Sequence, residues 1–148
     1  MLKVEFGAGH RIPKSRWTCH DWEVDITVPL PYANNTVDEI RAEHVCEHVS
    51  GPQFLRFLDE CRRILIPGGR VRISMPVLCR LSDEKRRDII LNHGHQAAYT
   101  PDTILYFFRA AGFININPGL PRDEIDNHWG AIGIEQDDLE TYRIEGIK

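Results

Sequence analysis

The densest chemistry in the chain lies in one six-residue run, Glu43-His44-Val45-Cys46-Glu47-His48. An imidazole can take up a proton near neutral pH, and a carboxylate beside it would hold the charge that results. His44 and His48 are four residues apart, so a helix beginning near Val45 would carry them on one face. Glu43 and His44 are read as the groups that orient or deprotonate a substrate, with His48 behind them. The competing reading of each His is structural, as a cap or a packed ring. A second feature is Gly7-Ala8-Gly9, which follows the alternating Leu2, Val4 and Phe6. A glycine turn after a strand lets a ligand approach the backbone and aims N–H groups at it.

The elements that must position these residues follow from periodicity. Val37 to Ala42 alternates and reads as a strand, with Glu43 and His44 at its carboxyl end. Ser50-Gly51-Pro52 opens a helix. Phe54, Leu55, Leu58, Cys61, Ile64 and Leu65 form its apolar face; Arg56, Asp59, Glu60, Arg62 and Arg63 form the other. Pro67-Gly68-Gly69 is expected to end it, and Val71, Ile73 and Met75 alternate in the next strand. Strand, helix and strand make a βαβ unit, which crosses over right-handed into a parallel sheet. In such sheets ligands bind beyond the carboxyl ends of the strands, where the topology switches. Farther on, residues 82–91 read as a short charged helix with Ser82 as cap. Residues 100–113 read as a second helix, capped by Thr100 and ended by Gly112. Phe113 to Asn117 reads as a strand. Ala131–Glu135 and Thr141–Ile147 read as a closing antiparallel hairpin.

The run from Leu30 to Pro76 contains L-P-Y-A-N-N-T-V-D-E-I-R-A-E-H-V-C-E-H, then R-R-I-L-I-P-G-G. It resembles small class I S-adenosylmethionine-dependent methyltransferases, whose pattern is L-P-F, N-S-V-D-x-I, E-H-V-L-E-H and R-V-L-K-P-G-G. The departures are Tyr32, Thr36, Cys46, Ile64 and Ile66. The resemblance implies a Rossmann-like α/β fold, mostly parallel with an antiparallel C-terminal edge, and methyl transfer from S-adenosylmethionine. E-F-G-A-G-H resembles the family's cofactor loop, so Glu5, Gly7 and Gly9 would bind the methionine end. R-W-T-C-H-D resembles its second strand, so Asp21 would accept from the ribose hydroxyls. Val24-Asp25-Ile26 resembles the third, which places Asp25 and Ile26 near adenine. The order H-Q-A-A-Y-T before the later helix resembles the loop over the cleft, making His93, His95 and Tyr99 substrate contacts. Two of the family's helices do not fit between these strands, so the fold should be short of helices and its cleft open.

Two metal readings compete. His44, Glu47 and His48 spell H-x-x-E-H, a zinc-hydrolase pattern, but that needs both His inside a helix and a third ligand. His93, His95 and His128 lack ligand spacing. No metal site is therefore expected. A non-catalytic relative that binds a nucleoside or a partner protein is the remaining alternative.

With 148 residues the chain suits one domain over residues 1–148, burying roughly 68–70% of its unfolded surface. A net charge of −4 gives no electrostatic reason to expect nucleic acid or an anionic membrane as partner. No apolar run is long enough to span a bilayer and no signal peptide is visible, so a cytoplasmic location is expected. Cys19, Cys46, Cys61 and Cys79 lack C-x-x-C spacing and read as free thiols. The expected partner is a small-molecule methyl acceptor; self-association into a homo-oligomer would shield an open cleft.

Overall fold

The computed structural model describes residues 1–8, 17–21, 23–77, 82–92, 94–119 and 141–148. Gly9, His93, Cys79, His128 and the expected strand Ala131–Glu135 lie outside the described residues. The elements are β1 (Lys3–Phe6), β2 (Thr18–His20), β3 (Val37–Glu43), a 3-10 turn (Cys46–His48), α1 (Gly51–Ile64), β4 (Leu65–Pro76), α2 (Asp83–Asn92), α3 (Pro101–Ala110), β5 (Ile114–Pro118) and β6 (Thr141–Ile147).

The strands form one sheet in the order β2-β1-β3-β4-β6-β5. The first four run parallel. β6 is antiparallel to both β4 and β5, which gives the expected antiparallel C-terminal edge. The edge strand itself is β5; β6 is inserted between it and β4.

The two sheet faces differ in chemistry, and the alternation along each strand dictates how. Register aligns Val4, Ile40 and Val71 in one row and Phe6, Ala42, Ile73 and Ile144 in the next. All seven are buried. α1 and α3 cover this face. Phe57 of α1 meets Phe6 edge-on at 5.6 Å, and a Cβ on Gly146 of β6 would lie 2.9 Å from the Phe108 ring of α3. The intervening residues point the other way. Glu5, Arg41 and Arg72 share one row, and Lys3, Glu39 and Arg70 another. Glu39 joins its row through Lys3 Nζ at 2.6 Å and Arg70 at 3.0 Å. The Trp17 ring lies beneath Lys3 and Arg41, about the distance of a cation–π contact at 5.2 and 5.3 Å.

α1 begins where the sequence places it. Ser50 N–H and Oγ both donate to Gln53 Oε1, at 2.9 and 2.7 Å, with Pro52 in the first turn. Its buried face is Phe54, Phe57, Leu58, Cys61 and Ile64. Phe57 takes a core position not assigned from the sequence, and Leu65 leaves the helix. The chain turns extended at Leu65 (φ −63°, ψ 141°), so β4 starts before Pro67-Gly68-Gly69 rather than after it. The glycines instead take up the register shift between Leu65 and Arg70 opposite Val37 and Glu39. Gly69 fits closely there: a Cβ would sit 3.0 Å from Ile66 O and 3.1 Å from Asp38 O.

The loop before β3 is fastened to α1 by Arg63. Its guanidinium donates to Tyr32 O (2.8 Å), Asn34 Oδ1 (2.9 Å), Leu30 O (3.0 Å) and the Glu60 carboxylate, which itself accepts from Leu30 N. α3 carries the expected cap, with Thr103 N donating to Thr100 Oγ1 at 3.2 Å. Among the described residues no helix is long and apolar enough to cross a membrane.

Candidate active site

β1 pairs with β2 on one side and β3 on the other, all parallel, so the chain reverses its direction of growth at the β1–β3 boundary. This is the switch point at which open α/β sheets leave a crevice beyond the strand ends. The carboxyl ends of β1, β2 and β3 bring Gly7, Asp21, Glu43 and His44 to that edge.

Gly7 follows Phe6 at φ +74°. A Cβ there would lie 2.0 Å from Val45 Cγ2 and 3.3 Å from Glu43 O, so only glycine lets the turn after β1 lie against the corner after β3. Ala8 N donates to His20 O at 2.9 Å, which ties the same turn to the end of β2. Asp21 follows immediately. Its carboxylate has no hydrogen-bond partner among the described residues, so both oxygens can accept from a ligand. Glu5 lies two residues back on the charged face, buried, with Cys19 Sγ 3.7 Å from Oε2.

Beside Asp21, His20 stacks on Phe6 (5.7 Å), meets Tyr32 Oη through Nε2 (2.6 Å) and Glu23 through Nδ1 (3.0 Å). The sequence reading gave His20 and Tyr32 no role; Tyr32 sits where the related pattern has Phe, and its hydroxyl was the available signal. Glu23 accepts from its own backbone N–H, His20 and Asp21, which holds its exposed carboxyl below the usual range. Asp25 is exposed, and its Oδ1 accepts from Thr27 N and Oγ1 at 2.8 and 2.7 Å, closing a turn that lowers its carboxyl. Ile26 is buried in the core cluster.

At the end of β3 the chain bends at His44, which adopts φ +53° while its N–H donates to Ser74 O at 2.8 Å. Few residues other than glycine take this conformation, though His is among those enriched in it. Residues 46–48 then form a 3-10 turn, not the start of an α-helix, so His44 and His48 do not stack one above the other. The carboxylate facing the His44 ring is that of Glu47, Oε1 at 3.3 Å from Nδ1. Glu43 is buried on the charged face, Oε1 3.6 Å from Arg41 Nη1. In the sequence Glu47 enters only through H-x-x-E-H; its i+3 spacing from His44 is the local signal for this contact.

His48 faces the loop before α3: Nδ1 lies 3.3 Å from Gly94 O, and its ring meets His95 edge-on at 4.7 Å. That loop is pinned by Gln96 N and Ala97 N, which both donate to Glu47 O. Tyr99 is buried, donating to Val49 O at 3.0 Å, with Phe54 and Phe107 around its ring. Burial, with Cys46 and Glu47 nearby, pushes its hydroxyl up to about 12. Its geometry is that of an anchor for the loop.

Residues 8–73 match the family described as a methyltransferase domain. An S-adenosylmethionine-dependent methyltransferase from Archaeoglobus fulgidus superposes with a TM-score of 0.66 at 12% identity, over 99% of this chain and 86% of that one. One from Mesorhizobium loti gives 0.67 at 12% identity, over 99% and 90%. A phosphoethanolamine N-methyltransferase from Haemonchus contortus, in complex with S-adenosylmethionine, gives 0.67 at 14% identity, over 99% of this chain and 48% of that one. No match was found among curated proteins. The fold is that of S-adenosylmethionine-dependent methyltransferases, and the matched region holds every strand-end residue of the site except the first turn of Gly7.

Proposed function

We propose that this protein transfers a methyl group from S-adenosylmethionine to an oxygen or nitrogen of a small molecule. The observation that carries the reading is the convergence of Gly7, Asp21 and His44 at the β1–β3 switch point, within a fold shared with known methyltransferases. The residues fit the donor. The turn at Gly7 would present its backbone to the donor, and Asp21 offers a carboxylate suited to two vicinal hydroxyls. Asp25 and Ile26 would flank the base, with Glu5 and Gly9 completing the loop.

The donor's sulfonium supplies an activated methyl group and a good leaving group, so the protein's work is alignment and proton management. His44 sits at the strand end with an imidazole able to accept the proton the nucleophile loses. Glu47, at 3.3 Å, would then hold the imidazolium in place. Glu43 supports the corner from the charged face. His95 and His93, the latter outside the described residues, would contact the acceptor; Tyr99 anchors the loop that carries His95. The phosphoethanolamine enzyme among the similar structures makes an amine a reasonable first acceptor class to try.

The test is His44→Asn, because Asn tolerates the left-handed backbone and carries no base. Conversion of S-adenosylmethionine to S-adenosylhomocysteine, followed with a panel of amine and hydroxyl acceptors, should fall by ~100-fold or more. Affinity for S-adenosylhomocysteine should not change. Unaltered turnover would remove His44 from the mechanism.

A further inference from the structure

We infer that Glu47, His48 and His95 form a binding site for one divalent transition-metal ion of the zinc type. Each side chain offers one ligand atom, and the three atoms lie within 4.8 Å of one another. Glu47 is 1% exposed, and neither carboxylate oxygen accepts a hydrogen bond. The group nearest in charge terms is His44, whose Nδ1 is 3.3 Å from Oε1. A carboxylate taken out of water without hydrogen bonds is costly, and a dication beside it removes that cost.

The two imidazoles suit the same role. A proton on His48 Nδ1 can be accepted by Gly94 O at 3.3 Å, which leaves the Nε2 lone pair for a metal. A backbone carbonyl on the far nitrogen is the usual support of a metal-bound His. His95 comes from a different segment, yet Gln96 and Ala97 beside it donate their N–H groups to the carbonyl of Glu47. The ligand-bearing segments are thus fastened to each other before any ion arrives. Zinc–nitrogen bonds of about 2.0–2.1 Å place tetrahedral ligands about 3.4 Å apart, so the three must draw inward by up to ~1.4 Å. His95 is only partly buried and lies outside the helices and strands, so it is the ligand placed to move inward. Cys46 is adjacent in sequence but fully buried, and its sulfur is not among the ligand atoms that cluster within 4.8 Å. Three protein ligands leave a coordination position open for water or substrate.

This departs from the expectation of no metal site, and also from the H-x-x-E-H pattern set aside on sequence grounds. Glu47 and His48 are retained; His44 keeps its Nδ1 3.3 Å from Glu47 Oε1 but is not part of the three-residue cluster, in which His95 takes the third place. Metal binding requires only these side chains and is measured without methyl transfer, although Glu47 and His95 also serve the proposed function.

The test uses the full chain, stripped with a chelator and titrated with zinc chloride, then separately with cobalt chloride. One equivalent of zinc should bind saturably and raise the melting temperature. The cobalt form should show visible ligand-field bands without thiolate charge-transfer bands. Glu47→Gln and His95→Ala should each weaken zinc binding by about tenfold or more. Circular dichroism checks that both variants fold; should Glu47→Gln not fold, His95→Ala decides alone. Absence of saturable uptake, uptake unchanged in the folded variants, or thiolate bands in the cobalt spectrum would each overturn the assignment.

Discussion

Replacing Gly7 with Ala tests how the crevice is built. Two costs can be read from the structure. The backbone at φ +74° is unfavourable for an L-residue by about 1–2 kcal/mol. The new methyl would also lie 2.0 Å from Val45 Cγ2, an overlap that forces the β1 turn and the β3 corner apart. Overpacking of this kind costs about 1–3 kcal/mol. The expected loss of stability is therefore about 2–5 kcal/mol, measured by denaturant unfolding. The second cost can be isolated. Val45→Ala removes Cγ2, so the double variant should regain the overlap term but not the backbone term. A double-mutant cycle should give a coupling of about 1–3 kcal/mol. A Gly7→Ala protein within about 0.5 kcal/mol of the parent, or strictly additive substitutions, would refute the argument, since ordinary surface changes lie within that range.

Other consequences follow from the same contacts. Tyr99→Phe deletes the buried hydrogen bond to Val49 O and should cost about 1–2 kcal/mol of stability, while leaving the secondary structure seen by circular dichroism intact. Acid should unfold the protein through two carboxylates. Burial raises Glu39, but the Lys3 and Arg70 hydrogen bonds outweigh it and bring the group below its ordinary 4.5; the Arg63 hydrogen bond lowers Glu60 likewise. Groups lowered by folding contribute stability in full above the unfolded value, and that contribution drains as pH falls through the folded value. Stability should thus decline below about pH 4.5. Glu39→Gln with Glu60→Gln should flatten that decline in denaturant melts taken across the acid range, and an unchanged slope would dismiss both groups.

Much of the architecture was legible in local pattern. The β3–α1–β4 unit follows from alternation, then helical spacing, then alternation. The same alternation shows that only one sheet face is apolar: Glu39, Arg41 and Glu43 in one strand and Arg70, Arg72 and Ser74 in the next place polar groups on alternate residues. Three features were not legible, each for a physical reason. Proline and glycine near residue 68 suggested a helix stop, yet the helix ends earlier because Leu65 pairs with Val37, a long-range choice. The corner after β3 tightens into a 3-10 turn because His44 takes a left-handed backbone, and that swings Glu47 rather than Glu43 to its ring. His95 approaches His48 only because Gln96 and Ala97 bind the Glu47 carbonyl, a contact between segments about 50 residues apart. Gly7 lies in a glycine turn that local pattern shows, and Asp21 came from the resemblance of R-W-T-C-H-D to the related second strand; both stand at the carboxyl ends of neighbouring strands.

The most direct measurement is calorimetric titration of the full chain with S-adenosylhomocysteine, beside its Asp21→Asn variant. Saturable binding to the parent is expected, weakened by about tenfold or more in the variant, since a charge-assisted hydrogen bond contributes about 1.5–3 kcal/mol. No heat with the parent, or equal affinity in both proteins, would contradict a donor site at the β1–β3 switch point.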